Sequence, residues 1–268
     1  MIIGVHAGHN PDGKTACGAI GLVKESTENR KVKNEVIRLL ELEGHKVYDC
    51  TVEDGKSTSD VVNKQVAKSN AQYLDLTVSI HFNCGVSDLK GNGATTGTEV
   101  LVYSKTGEKA VVAERVCKKI SALGYKNRGV KVRTNLGFLS KTKAPAILVE
   151  CCFVDDKDDI EKYNYKTMAK AIAEGILNKN IVEPVATEEI WYRAVCGSFG
   201  SKDNANKRKT ELESKGYTGV FLDAFVKDEQ TIYRVIVGSF KTKTSADKRV
   251  VILKGKGYSD AFVSAIKK

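Results

Sequence analysis

A repeat of 41 residues near the end of the chain restricts its fold more than any other feature. Trp191-Tyr-Arg-Ala-Val-Cys-Gly-Ser-Phe199 recurs without a gap as Ile232-Tyr-Arg-Val-Ile-Val-Gly-Ser-Phe240. Ala205 matches Ala246, Lys207-Arg208 matches Lys248-Arg249, Leu212 matches Leu253, Lys215-Gly-Tyr217 matches Lys256-Gly-Tyr258, and Phe221 matches Phe262. Each unit reads as strand, helix, glycine stop and strand, with Gly216 where a helix C-cap belongs. Two such units predict a small α+β domain, βαββαβ, in which two helices cover a four-stranded antiparallel sheet.

Before the repeat, strands and helices alternate. Short apolar runs at 2–5, 46–48, 74–80, 98–103 and 146–149 read as strands, and amphipathic patterns at 28–42, 60–71, 107–123 and 166–178 read as helices. This alternation predicts an α/β domain built on a mostly parallel, twisted sheet flanked by helices. The polar run Val182-Glu-Pro-Val-Ala-Thr-Glu-Glu holds one of only three prolines and reads as a linker. The expected organisation is therefore a first domain over 1–180, a linker over 181–190 and a second domain over 191–268.

Charge separates the two parts. The net +10 falls mainly on residues 191–268, where 16 Lys/Arg stand against 8 Asp/Glu. That excess points to an anionic partner such as nucleic acid, an acidic wall polymer or lipid headgroups. No stretch approaches the ~18 consecutive apolar residues of a membrane span. The opening Met-Ile-Ile-Gly-Val-His reads as a core strand and not as a secretory signal, so the expectation is a protein held in the cytoplasm until something releases it. Seven cysteines without framework spacing fit reduced, structural thiols.

The chain has four histidines, at 6, 9, 45 and 81. His9 follows the first strand, with Gly8 letting the backbone turn. His81 follows the strand at 74–80, and Glu150 ends the strand at 146–149. Three polar residues thus gather at the carboxyl ends of apolar strands, the edge where open α/β sheets bind ligands. Charge placed there needs a partner. A zinc ion held by two imidazoles and one carboxylate would be one, with a fourth position open for water. Glu25, just before the helix expected near Thr27, is the candidate carboxylate, and Glu28 is its rival. Taken singly, a histidine after a strand is more often an ordinary satisfied polar residue. His6 reads as a filler and His45 as loop.

Together, Ala7-Gly-His9, Gly21-Leu-Val-Lys-Glu25 with Asn29, Ser79-Ile-His-Phe-Asn83, Asn127-Arg-Gly-Val-Lys131 and Ala146-Ile-Leu-Val-Glu150 resemble the zinc-dependent N-acetylmuramoyl-L-alanine amidases, the autolysin and phage-endolysin enzymes. The resemblance covers residues 1–180. It implies one zinc ion on His9, Glu25 and His81, Glu150 as the acid/base, and hydrolysis of the amide between N-acetylmuramic acid and L-alanine. Asn83 and Arg128 then become candidates for substrate binding. The chain departs from the family in having His6 where Asp is usual, Cys17-Gly-Ala19 where Pro-Gly-Ala is frequent, and an irregular loop from Asn10 to Cys17. These departures bear on substrate detail more than on the metal.

The repeat resembles the sporulation-related repeat, or SPOR, domain. That resemblance implies binding to peptidoglycan, with Tyr192, Arg193, Tyr233 and Arg234 as candidate glycan contacts. Phe199 and Phe240 are expected in the core. An RNA-binding reading of the basic βαββαβ module is disfavoured because its aromatic and glycine residues lack the RNP1 arrangement. An inactive wall-binding protein is a further alternative, opposed by the presence of all four site residues. The chain is expected to bind peptidoglycan, to bind no nucleic acid and to have no membrane span, and to serve phage-induced lysis or lysis of a sporulating mother cell. Its oligomeric state is not legible in the sequence.

Overall fold

In strand β3 (Leu76–Asn83) the apolar Leu76, Val78, Ile80 and Phe82 alternate with the polar Thr77, Ser79, His81 and Asn83. Period two sends these sets to opposite faces of the sheet, and that division governs the first unit. The computed structural model describes residues 1–182 and 189–267, which fall into two compact units divided after Val182. Most of the expected linker, residues 183–188, lies outside the described residues.

The first sheet has six strands: β1 (Ile2–Ala7), β2 (Lys46–Asp49), β3, β4 (Thr98–Val102), β5 (Asn127–Val132) and β6 (Ala146–Phe153), in the order β2-β1-β3-β6-β4-β5. Every neighbouring pair is parallel except β4 with β6. Helices α1 (Glu25–Leu42), α3 (Glu108–Ser121) and α6 (Tyr165–Leu177) lie on one face. There Val32, Val36, Leu39, Val116, Ile120, Met168 and Ile172 form one apolar core with Ile3, Val5, Val78, Ile80, Ile147 and Val149. Helices α2 (Thr58–Asn70) and α4 (Gly137–Lys141) lie on the other face, where Val66, Phe138 and Leu139 pack on Leu101, Ala146 and Leu148.

Local chemistry sets the ends of these helices. The Ser57 hydroxyl caps α2 by accepting from the Asp60 N–H, and the Asn164 side chain caps α6 through Lys166 and Thr167. Asn178, at φ 54°, closes α6 in the left-handed region. The short helix α5 (Lys157–Lys162) follows β6. Around it, Asp155 accepts from the backbone N–H groups of Gly85, Val86 and Ser87, and Asp158 accepts from those of Asn92 and Gly93. These bonds fix the loop between β3 and β4.

Several boundaries differ from the sequence reading. Helix α1 begins at Glu25 rather than near Thr27, β3 extends to Asn83, and β6 extends to Phe153. His81 and Glu150 therefore lie inside strands rather than just beyond them. Strand β5 had no apolar run to mark it, because it is an edge strand whose only buried residue is Val130. Among the described residues no helix is long and apolar enough to cross a membrane.

The second unit comprises β7 (Ile190–Phe199), α7 (Lys202–Ser214), β8 (Phe221–Lys227), β9 (Gln230–Phe240), α8 (Lys243–Gly255) and β10 (Ala261–Lys267). Its strands pair antiparallel in the order β10-β7-β9-β8. The repeat shows in the packing, since Ala205 and Ala246, and Leu212 and Leu253, are wholly buried in equivalent places.

Candidate metal centre and the surfaces around it

His9, Glu25 and His81 come from a loop, a helix start and a strand, and their ligand atoms all lie within 4.8 Å of one another. Glu25 Oε1 lies 3.0 Å from His81 Nδ1 and 3.4 Å from His9 Nε2. The two imidazoles meet edge to face with centroids 4.9 Å apart. The rival Glu28 points elsewhere, accepting from the Tyr163 hydroxyl at 3.1 Å and pairing with Lys31 at 2.8 Å.

The backbone is shaped to produce this convergence. A Cβ on Gly8 would stand 2.1 Å from His81 Cε1, so only glycine lets the loop pass the ring. His9 itself sits at φ 66°. That strained turn is held from α1: the Asn29 side chain donates to Gly8 O at 2.8 Å, and the Arg30 guanidinium donates to His9 O at 3.1 Å. Glu25 is anchored in turn by the Ala19 N–H at 2.8 Å and the Phe82 N–H at 3.1 Å.

Electrostatics prepare the donor atoms. Burial alone would push the Glu25 carboxyl up, but the hydrogen bonds to His81 and His9 outweigh it and hold the group well below the usual carboxylate range. Burial lowers the His81 imidazole. An ionised carboxylate beside a neutral imidazole is the protonation state in which both act as metal ligands. The donor set, two imidazole nitrogens and one carboxylate oxygen, fits a zinc ion.

Glu150 stands beside this group. It is the register partner of His81 across β3–β6 and of Glu99 across β4–β6. A row His81–Glu150–Glu99 therefore crosses three adjacent strands on one face. Burial, then the charges of Glu25 and Glu99, push the Glu150 carboxyl up to about 8. Its Oε2 is buried without a hydrogen-bond partner. Asn83 and Arg128 both reach Glu99: Asn83 Nδ2 donates to Oε1 at 3.2 Å, and Arg128 Nε donates to Oε2 at 2.8 Å. Sequence reasoning missed Glu99, whose only sign was a lone acid in an apolar strand.

An apolar cavity of about 160 Å³ adjoins the imidazoles, lined by Val61, Val62, Leu136, Phe138 and Leu148 together with His9 and His81. His6 is wholly buried with its ring edge-on to Phe138 at 4.5 Å, and burial pushes its imidazole down to about 3. It is a neutral packing residue, in keeping with the filler reading.

In the second unit, Arg193 and Arg234 lie on the sheet face opposite the helices. Arg193 pairs with Asp223 at 2.7 Å, and the Arg234 guanidinium lies 4.3 Å from the Phe225 ring centroid and 5.5 Å from that of Phe262. Tyr192 and Tyr233 lie on the opposite face from these arginines. Tyr233 packs against the helix-side core, and alternation along β7 puts Tyr192 on the same face as the buried Ala194 and Cys196. Phe199 and Phe240 pack against that core as expected.

Residues 3–179 match the family described as N-acetylmuramoyl-L-alanine amidase, and residues 191–265 match the SPOR domain. The chain is similar to an uncharacterised protein of Clostridium perfringens (strain 13 / Type A), 36% identical over 192 residues that cover 70% of this chain and 55% of the other. It is similar to an endolysin of Bacillus phage SPP1, 28% identical over 175 residues that cover 65% and 62% of the two. Among solved structures it resembles the catalytic domain of an endolysin targeting Clostridia difficile, with TM-score 0.60, 31% identity, and 68% of this chain and 99% of that one covered. The chain spans about half the length of the first curated relatives it matches.

Proposed function

The chain belongs to the N-acetylmuramoyl-L-alanine amidase family, and from that premise we propose that it hydrolyses the amide joining N-acetylmuramic acid to the L-alanine of the peptidoglycan stem. The observation that carries this reading is the convergence of His9, Glu25 and His81 beside a half-buried Glu150 whose Oε2 is buried and unpartnered. His9, Glu25 and His81 would hold one zinc ion. When bound, zinc supplies a polarised carbonyl and a water acidified toward a pKa of ~7.

The remaining chemistry belongs to the protein. Glu150 accepts the proton of the attacking water and returns it to the departing alanine nitrogen, so the carbonyl ends as the lactyl carboxylate and the peptide leaves as an amine. Glu25 is kept in place by two backbone N–H groups, which lowers the cost of ordering the ligands. The apolar floor formed by Leu148, Phe138 and Val61 limits water around the reacting amide.

Residues 1–180 form the catalytic domain in this reading, 181–190 the linker and 191–268 a wall-binding domain. The second domain holds glycan strands through the open sheet face that carries Arg193 and Arg234. Amidase action strips stem peptides from glycan, so the second domain retains the enzyme on its own product. The biological role proposed is phage-induced or mother-cell lysis, with the protein kept in the cytoplasm until release. Purified walls should lose stem peptides to the zinc-loaded chain and keep them when a chelator is added or Glu150→Ala is used. Unchanged release by Glu150→Ala would overturn the reading.

A further inference from the structure

Strand β5 carries a device that neither the metal nor the acid/base explains. Thr98 of β4 faces Asn127 and Val100 faces Val130, so β5 has one residue more than its partner across this stretch. Gly129 takes φ 77° within it, and the Asn127 side chain accepts from the Gly129 N–H at 2.9 Å. This is a β-bulge, a feature that re-aims a side chain and recurs next to active sites. The residue it re-aims is Arg128. Its Nε donates to Glu99 at 2.8 Å, its guanidinium lies 4.9 Å from the Phe153 ring centroid, and Asn83 holds the other oxygen of Glu99. Among the described residues, nothing accepts a hydrogen bond from Arg128 Nη1 or Nη2.

Resting on the amidase reading, we propose that Arg128, positioned by the bulge, Glu99, Asn83 and Phe153, is the subsite for a carboxylate on the stem peptide, the free α-carboxylate of its γ-linked D-glutamate. Placement agrees. Glu99 is the cross-strand neighbour of Glu150 and Arg128 lies on the next strand out, so the guanidinium stands beyond Glu99, one to two strand spacings or ~5–10 Å from the acid/base. In the substrate, one and a half residues separate the alanine nitrogen from that carboxylate, or about 5–6 Å extended, and a hydrogen bond of ~3 Å at each end spans the rest. Charge agrees as well. Glu99 puts a carboxylate at this edge that alone would repel an anionic peptide. Arg128 neutralises Glu99 through one donor and keeps its outer fork for a second carboxylate, a geometry guanidinium suits better than ammonium. Glu99, Asn83 and Phe153 are positioning residues that act through Arg128.

The test needs no turnover. A soluble stem tripeptide, with the glutamate α-carboxyl either free or converted to the carboxamide, is titrated into the zinc-loaded full chain and binding is followed by NMR. The wild-type chain should bind the free acid at least about tenfold more tightly than the amide. Arg128→Gln should bind both forms equally, and Arg128→Lys should keep part of the preference. The Glu99→Gln/Arg128→Gln double variant leaves no unpaired buried charge and should also bind both forms equally, with its melting temperature reporting an intact fold. No preference in the wild-type chain, or the full preference in Arg128→Gln, would overturn the subsite. A wild-type chain that shows the preference but leaves walls intact would overturn the amidase reading and leave the subsite standing.

Discussion

Glu150 and His81 are register partners on adjacent parallel strands, so a buried carboxyl stands next to one imidazole of the candidate metal centre. Substituting that carboxyl separates binding from chemistry. Glu150→Gln keeps the shape of the side chain and the three ligand residues. It should retain one zinc per chain by elemental analysis while kcat falls by roughly 10²–10⁴-fold. Loss of zinc in step with activity would mean that Glu150 is a ligand.

The acidity of Glu150 also sets a pH dependence of stability in the metal-free protein. Its folded pKa of about 8 lies above the ordinary value of 4.5. Between these values the folded state keeps a proton that the unfolded state has lost. Stability from this group is therefore present at low pH and declines as pH rises from about 4.5 to about 8, by up to about 1.4 kcal/mol per pH unit. Urea unfolding in chelator from pH 5 to pH 8 should show wild type losing stability relative to Glu150→Gln across that window. Parallel curves would show that Glu150 is not perturbed.

The carboxylate between the imidazoles is not interchangeable with its neighbour one turn on. Glu25→Gln should weaken zinc affinity by at least tenfold, measured by competition with a chromogenic chelator. Glu28→Gln, which removes a bond to Tyr163, should leave zinc affinity within about twofold of wild type. The reverse order would make Glu28 the ligand.

Gly8 is required by the ring that passes over it. Adding a methyl there places a carbon within the His81 imidazole. Gly8→Ala should cost about 1–3 kcal/mol of stability and weaken zinc affinity, read by denaturant midpoint and chelator competition on the same sample. Normal values for both would contradict the close approach.

The open face of the second sheet should carry wall binding. Arg193→Ala with Arg234→Ala should reduce sedimentation of the chain with purified peptidoglycan several-fold, and excess RNA should not displace the wild-type protein. Substituting Tyr233 should lower the melting temperature instead, because it packs against the core.

How far the sequence reveals this arrangement depends on the residue. His9, His81 and Glu150 stand out because polar side chains at the ends of apolar strands are costly without a purpose. Their strands nevertheless run further than apolar content suggests, since β3 and β6 remain paired past His81 and Glu150. In the sequence only motif order marks Glu25; its position as the first residue of α1 gives that mark a physical basis. Glu99 was missed because a single acid in Thr-Glu-Val-Leu-Val has no meaning until the register puts it beside Glu150. In the repeat, Tyr192 and Arg193 are consecutive strand residues and cannot share a face. The same holds for Tyr233 and Arg234, so period two already separated the arginines from the tyrosines.

Zinc-dependent cleavage between muramic acid and L-alanine is read out by mass spectrometry of purified walls digested with the zinc-loaded chain. The predicted result is stem peptides with a free L-alanine amine, alongside glycan strands of undiminished length. Shortened glycan, or new amines at any other residue of the stem, would contradict it.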